Sequence, residues 1–195
     1  MLHRISAPLL ISIGLLVASL YPVGATLQYQ WSGVNAGEWW RLLTGHWVHI
    51  DQWHLAFNLA GVWLVWLWCG PSFTPLRWLI TVVLCSLSVT LCLLLLDPDV
   101  TWYRGFSGVL FGVFAAGSVA MLSRHLAIAL VGLAVAGGKL LLDATGWQVL
   151  GVGLVTDFRI IHQAHLYGFL SGGVLGLIWV AANVRSGSGS RRSGN

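Results

Sequence analysis

His54, Ser107 and His165 carry ionisable or nucleophilic side chains inside otherwise apolar stretches. A serine hydroxyl becomes a nucleophile when a base stands within about 3 Å to take its proton. Ser107 sits in Tyr103-Arg104-Gly105-Phe106-Ser107-Gly108, where a polar loop gives way to the apolar run Val109 to Ala116. That change predicts that Ser107 opens a helix. The first turn of a helix has free backbone N–H groups and the positive end of the dipole. Such donors can hold an oxyanion beside the hydroxyl. By itself the motif more often serves helix packing, because small residues let helices approach closely in a membrane.

The elements that must position these residues are apolar. The chain has 195 residues, 57% hydrophobic and 8% charged. A soluble domain is about 25% charged, so the composition predicts an integral membrane protein with no soluble domain. The net charge of +4 is spread along the chain with a cluster at the end, which argues against nucleic acid as a partner. Twelve tryptophans suit interfacial anchoring in a lipid bilayer. Cys69, Cys85 and Cys92 all fall in apolar runs and are read as buried residues. No metal site and no cofactor is expected.

Six apolar runs, about 7–24, 53–69, 76–96, 105–122, 126–142 and 163–183, approach the roughly 20 residues that a span needs. Val23-Gly24-Ala25 would also serve as a signal-peptide cleavage site, but the first run is read as a retained span. Residues 26–51 form a long polar and aromatic loop, with Trp39 and Trp40 as interface anchors. The expected fold is all-α, a compact polytopic bundle of six transmembrane helices over residues 1–184. A disordered, basic, Ser/Gly-rich tail is expected over 185–195. With both termini cytoplasmic, Arg4, Arg77, Arg124, Arg185, Arg191 and Arg192 lie inside, against Arg41, Arg104, Lys139 and Arg159. The bias favours that orientation.

In an alternating bundle the even-numbered spans all start on one side. His54, Ser107 and His165 lie near the starts of the second, fourth and sixth spans, so all three should sit at one depth near the outer face. Polar residues there face the bundle interior or a wet cavity. His54 and Asn58 are four apart and share a helix face. Gly108 and Gly112 on one span, and Gly168 and Gly172 on the other, would let the Ser107 and His165 helices touch.

At this point the chain resembles the rhomboid family of intramembrane serine proteases, over about residues 7–183. The resemblance rests on Trp40-Arg41, on His49, His54 and Asn58, on Gly105-Phe106-Ser107-Gly108, and on Ala164-His165 followed by Gly168 and Gly172. It implies a Ser107/His165 catalytic dyad, with His54, Asn58 and the Ser107 backbone N–H as oxyanion donors. Gly105, Gly108, Gly112, Gly168, Gly172, Phe111, His49, Trp40 and Arg41 are then structural supports. The six-span form and Tyr103-Arg104 before the glycine look like the rhombosortase branch. That branch implies a bacterial inner-membrane enzyme, with its site near the outer face. Its implied substrates are membrane-anchored surface or secreted proteins with a C-terminal Gly-Gly-type anchor helix. Phe111 departs from the tyrosine usual in rhomboids and the histidine usual in rhombosortases. It can stack on His165 but cannot hydrogen-bond, so the dyad should rely on packing.

Asp51 and Asp157 are read as loop residues, and no acidic partner for His165 is evident. Lys139 and Asp143, four apart at the end of the fifth span, are read as an internal ion pair. His49 is read as bracing the first loop, His46 as interfacial, and Arg41 as tying that loop together. A haem- or metal-binding bundle would use His46, His49 and His54, but leaves the serine motif without a role. A transporter would need repeat symmetry and broken midplane helices, and neither is evident. A non-catalytic, helix-binding pseudoprotease is the remaining alternative, and it typically lacks the serine or the histidine.

Overall fold

The computed structural model describes residues 2–20, 24–70, 73–145 and 160–190, with side chains for 5–20, 24–70, 73–145 and 160–183. Nine helices and one pair of short strands are formed among the described residues. The first helix, α1 (Leu2–Leu20), is followed by the short α2 (Gly24–Leu27), β1 (Tyr29–Gln30), α3 (Trp31–Asn35) and α4 (Arg41–Thr44). The long helices α5 (Gln52–Cys69) and α6 (Pro75–Leu96) come next. Then follow β2 (Trp102–Tyr103), α7 (Ser107–Met121), α8 (Leu126–Ala144) and α9 (His162–Ser190). The α9 backbone thus enters the stretch read above as tail. The possible cleavage site at Val23 and the loop residues Asp157 and Arg159 lie wholly or partly outside the described residues.

Local chemistry explains the helix starts. Asp51 caps α5, its side chain accepting from the His54 N–H at 2.7 Å. Thr74 caps α6, and Pro75 occupies its first position, where a missing N–H costs nothing. By length and composition, Pro75–Leu96, Leu126–Ala144 and His162–Asn183 can cross a membrane. Ile5–Leu20 and Ser107–Met121 are apolar but shorter.

α7 is the centre of the bundle. It packs most extensively against α9 and also contacts α5, α6 and α8. Its sequence is rich in Gly and Ala, and most of its residues are buried. Small side chains all round let four neighbours close on it. The approach to α9 is backbone on backbone. A Cβ on Gly168 would collide with the Gly108 carbonyl, and one on Gly172 with that of Gly112. The four glycines singled out in the sequence therefore form one seam, as their spacing suggested.

The loop of residues 26–51 is more ordered than its composition suggests. β1 pairs antiparallel with β2, Tyr29 opposite Tyr103. Arg41, almost fully buried, donates to Glu38 Oε2 at 2.5 Å and to the carbonyls of Ala25 (2.9 Å) and Gln28 (2.8 Å). It ties the loop together as expected. Arg104 Nε donates to Gln28 Oε1 at 2.8 Å. These links fasten the loop to the segment that enters α7, and so to the position of Ser107. Trp39 and Trp40 remain exposed.

Candidate active site

Ser107 is the first residue of α7, so its N–H and those that follow it in the first turn lack partners inside the helix. The turn that delivers it is specific. Tyr103 Oη donates to the Gly105 carbonyl at 2.6 Å, and the Gly105 N–H donates to the Gly45 carbonyl at 3.1 Å. Gly105 has φ +122°, and a Cβ there would stand 2.5 Å from His54 Cε1. Only glycine combines that conformation with room for the imidazole.

His165 projects from the first turns of α9. Its Nε2 lies 2.9 Å from Ser107 Oγ. The Phe111 ring, one turn along α7 from Ser107, stacks on the imidazole with centroids 4.7 Å apart and planes 19° from parallel. Packing against Phe111 is therefore one support of the ring, and the contact of its Nδ1 with Asp143 is another. His54 and Asn58, one turn apart on α5, are both buried. Asn58 Nδ2 donates to the His54 carbonyl at 2.8 Å, while His54 Nδ1 and Asn58 Oδ1 have no hydrogen-bond partner among the described residues. His49 packs edge-on against His54, ring centroids 5.0 Å apart. Burial, and then the neighbouring His54, lower the His49 imidazole to about 3.

Ser107, His165, His54, Asn58 and Phe111 all line one cavity of about 640 Å³. The convergence expected from span parity is present in the fold. Trp40 and Arg41 lie outside that lining; Trp40 is exposed, and Arg41 ties the first loop together.

Three expectations are corrected. His46 is not interfacial: it is fully buried, donates from Nε2 to the Ser86 carbonyl at 3.0 Å, and lies edge-on to Tyr103. Burial lowers it to about 4. Its neighbours come from distant parts of the chain, which local sequence does not reveal. Nor is His165 without an acidic neighbour. Asp143 Oδ2 lies 3.4 Å from His165 Nδ1, and the other oxygen, Oδ1, pairs with Lys139. The internal Lys139–Asp143 pair was legible from its spacing; its contact with the histidine was not. Cys69 and Cys85 are buried, whereas Cys92 is only partly so.

A hydroxyl held by an imidazole at a helix N-terminus is the arrangement of an activated serine nucleophile. Comparison with known protein families matches the Rhomboid domain over residues 36–182. The chain belongs to the rhomboid family. Rhomboids are generally intramembrane serine proteases and act on membrane-protein substrates within the bilayer. The matched span of this rhomboid covers everything from the end of α3 to nearly the end of the described α9 side chains, and so contains every residue of the site. Its helices are those of a multi-pass membrane protein. Among curated proteins no match to the chain is found.

Proposed function

We propose that this rhomboid is an active serine endopeptidase that cuts membrane-anchored proteins within or beside a transmembrane helix. The main support is the 2.9 Å approach of His165 Nε2 to Ser107 Oγ at the first turn of α7. His165 takes the Ser107 proton as Oγ attacks the scissile carbonyl. The tetrahedral oxyanion is held by the Ser107 N–H, His54 and the Asn58 amide. His165 then gives the proton to the leaving amine. Water, entering through the cavity, hydrolyses the acyl-enzyme and regenerates Ser107. A helix-binding pseudoprotease has no use for a hydroxyl held in this way.

In this reading α1 and α5–α9 are six spans, with both termini in the cytoplasm of a bacterium and the cavity opening outward from the inner membrane. α7, with 15 residues, rises about 22 Å, against roughly 30 Å of hydrocarbon. With its C-terminal end at the inner surface, Ser107 is recessed below the outer one and still wet. The substrates are surface or secreted proteins with a C-terminal anchor helix of Gly-Gly type, as the rhombosortase-like features suggest. Such a helix unwinds readily at its glycines, since each costs about 1 kcal/mol of helix stability relative to alanine.

Labelling with a fluorophosphonate probe tests the chemistry. Wild-type protein should label and Ser107→Ala should not; equal labelling of the two refutes the nucleophile. A reporter with a Gly-Gly anchor helix tests the substrate class. Cleavage undiminished when both glycines become leucine would refute that part alone.

A further inference from the structure

We propose that Asp143, held by Lys139, is a positioning residue for His165, so that the site works as a Ser107–His165–Asp143 triad rather than as a two-residue dyad. This rests on the serine-protease reading above and deepens it.

The observations are geometric. The Asp143 side chain is 3% exposed, near the end of α8, and Lys139 is one turn earlier on the same helix. A lone ion pair of this spacing on a helix surface gains little. Burying a carboxylate is costly unless each oxygen finds a partner. Here each does. Lys139 Nζ takes Oδ1, and His165 Nδ1, from a different helix, stands 3.4 Å from Oδ2. The imidazole is likewise fully engaged, Nδ1 toward Asp143 and Nε2 toward Ser107.

This chain of contacts fixes the tautomer. An ionised carboxylate can only accept a hydrogen bond. The proton on the His165 ring therefore sits on Nδ1 and is donated to Asp143. Nε2 is left with its lone pair facing the Ser107 hydroxyl, which donates to it. When His165 takes the serine proton at Nε2, the Asp143 carboxylate already faces the imidazolium that forms. Lys139 prevents the carboxylate from rotating away, and it balances the negative charge while the imidazole is neutral. Phe111 fixes the plane of the ring; Asp143 fixes its rotation and its proton.

The test compares the full-length protein in detergent with Asp143→Asn, Asp143→Glu and Lys139→Met, reading kcat and KM on an anchor-helix reporter. Ser107→Ala is run in parallel. Asp143→Asn should lower kcat about 10²–10³-fold with KM within about twofold, because an amide no longer enforces the tautomer. Asp143→Glu should recover at least about tenfold of that loss, since it restores the charge. A merely structural role would not give this kcat-only loss with rescue by charge. If Asp143→Asn does not accumulate as folded protein, Lys139→Met decides: about a tenfold fall in kcat is expected. An unchanged kcat in whichever of these two variants is folded overturns the proposal, as does an Asp143→Glu variant no better than a folded Asp143→Asn. Cleavage that survives Ser107→Ala would instead overturn the serine-protease reading.

Discussion

Replacing Gly168 with alanine should cripple catalysis without touching a catalytic side chain. The α7–α9 seam has no space for a methyl group. A Cβ on Gly168 would meet the Gly108 carbonyl oxygen and lie 2.7 Å from its carbon. Carbon atoms settle at about 3.5–4.0 Å, so the helices must part by roughly 1 Å. Both obstructing atoms are backbone and cannot rotate aside. His165 lies one turn before Gly168 on α9, and Ser107 immediately precedes Gly108 on α7. The displacement therefore passes directly to the reacting pair. The 2.9 Å separation would stretch toward roughly 3.9 Å, beyond the reach of about 2.6–3.2 Å that proton transfer needs. A misplacement of about 1 Å can cost about 10²-fold in rate, and overpacking of this kind costs about 1–3 kcal/mol of stability. Gly173→Ala is the matched control, because no atom of the described residues lies within 4 Å of its added Cβ. The assay is kcat/KM on an anchor-helix reporter, alongside thermal melting in detergent. A Gly168→Ala protein that melts normally and cleaves within about threefold of wild type would refute the idea that this seam sets the Ser107–His165 distance.

Two further substitutions probe the supports of the site. Gly105→Ala combines a left-handed φ of +122° with a Cβ in the place of the His54 ring. It should cost about 1–3 kcal/mol of strain and, by displacing His54, the proposed oxyanion donor, about 10²-fold in kcat with little change in KM. Unchanged kinetics would remove His54 from the oxyanion site. His46 predicts a pH dependence of stability. Its folded-state value of about 4 lies below the unfolded value of about 6.5, so the unfolded chain binds more protons between the two. Stability should be full above about pH 6.5 and fall by up to about 3 kcal/mol as pH drops toward 4. Melting curves of wild type and His46→Gln at pH 7.5 and 5 check this, because the acid sensitivity should shrink in the variant.

The bounds of α5 and α6 were legible because each is an apolar run flanked by strong punctuation residues. Asp51 and Thr74 begin α5 and α6, and α6 ends before Asp97-Pro98. The glycine seam was legible because Gly108 and Gly112, and Gly168 and Gly172, repeat every four residues, which marks one face of a helix. The interior of the first loop was not. β1 and β2 are two residues each and lie more than seventy positions apart, and so short a strand has no periodicity to read. The burial of His46 follows from the same long-range packing: Ser86 and Tyr103 close over it from α6 and β2. Nothing near His46 in the chain distinguishes it from the interfacial residues beside it.

Asp143 is the more instructive omission, because the rule that gathers the site also reaches it. An alternating bundle of six runs would put the starts of α5, α7 and α9, and the finish of α8, at one end. In the structure Asp143, in the last turn of α8, reaches His165 at that end. What hid it was Lys139. An acid and a base four apart look complete as a pair, so the second carboxylate oxygen goes uncounted. A buried carboxylate has more lone-pair sites than one ammonium can fill, and in an apolar bundle the remainder must be met by another helix. Counting acceptors rather than charges points from Asp143 to a donor on a neighbouring span, and His165 Nδ1 is the donor that the fold provides.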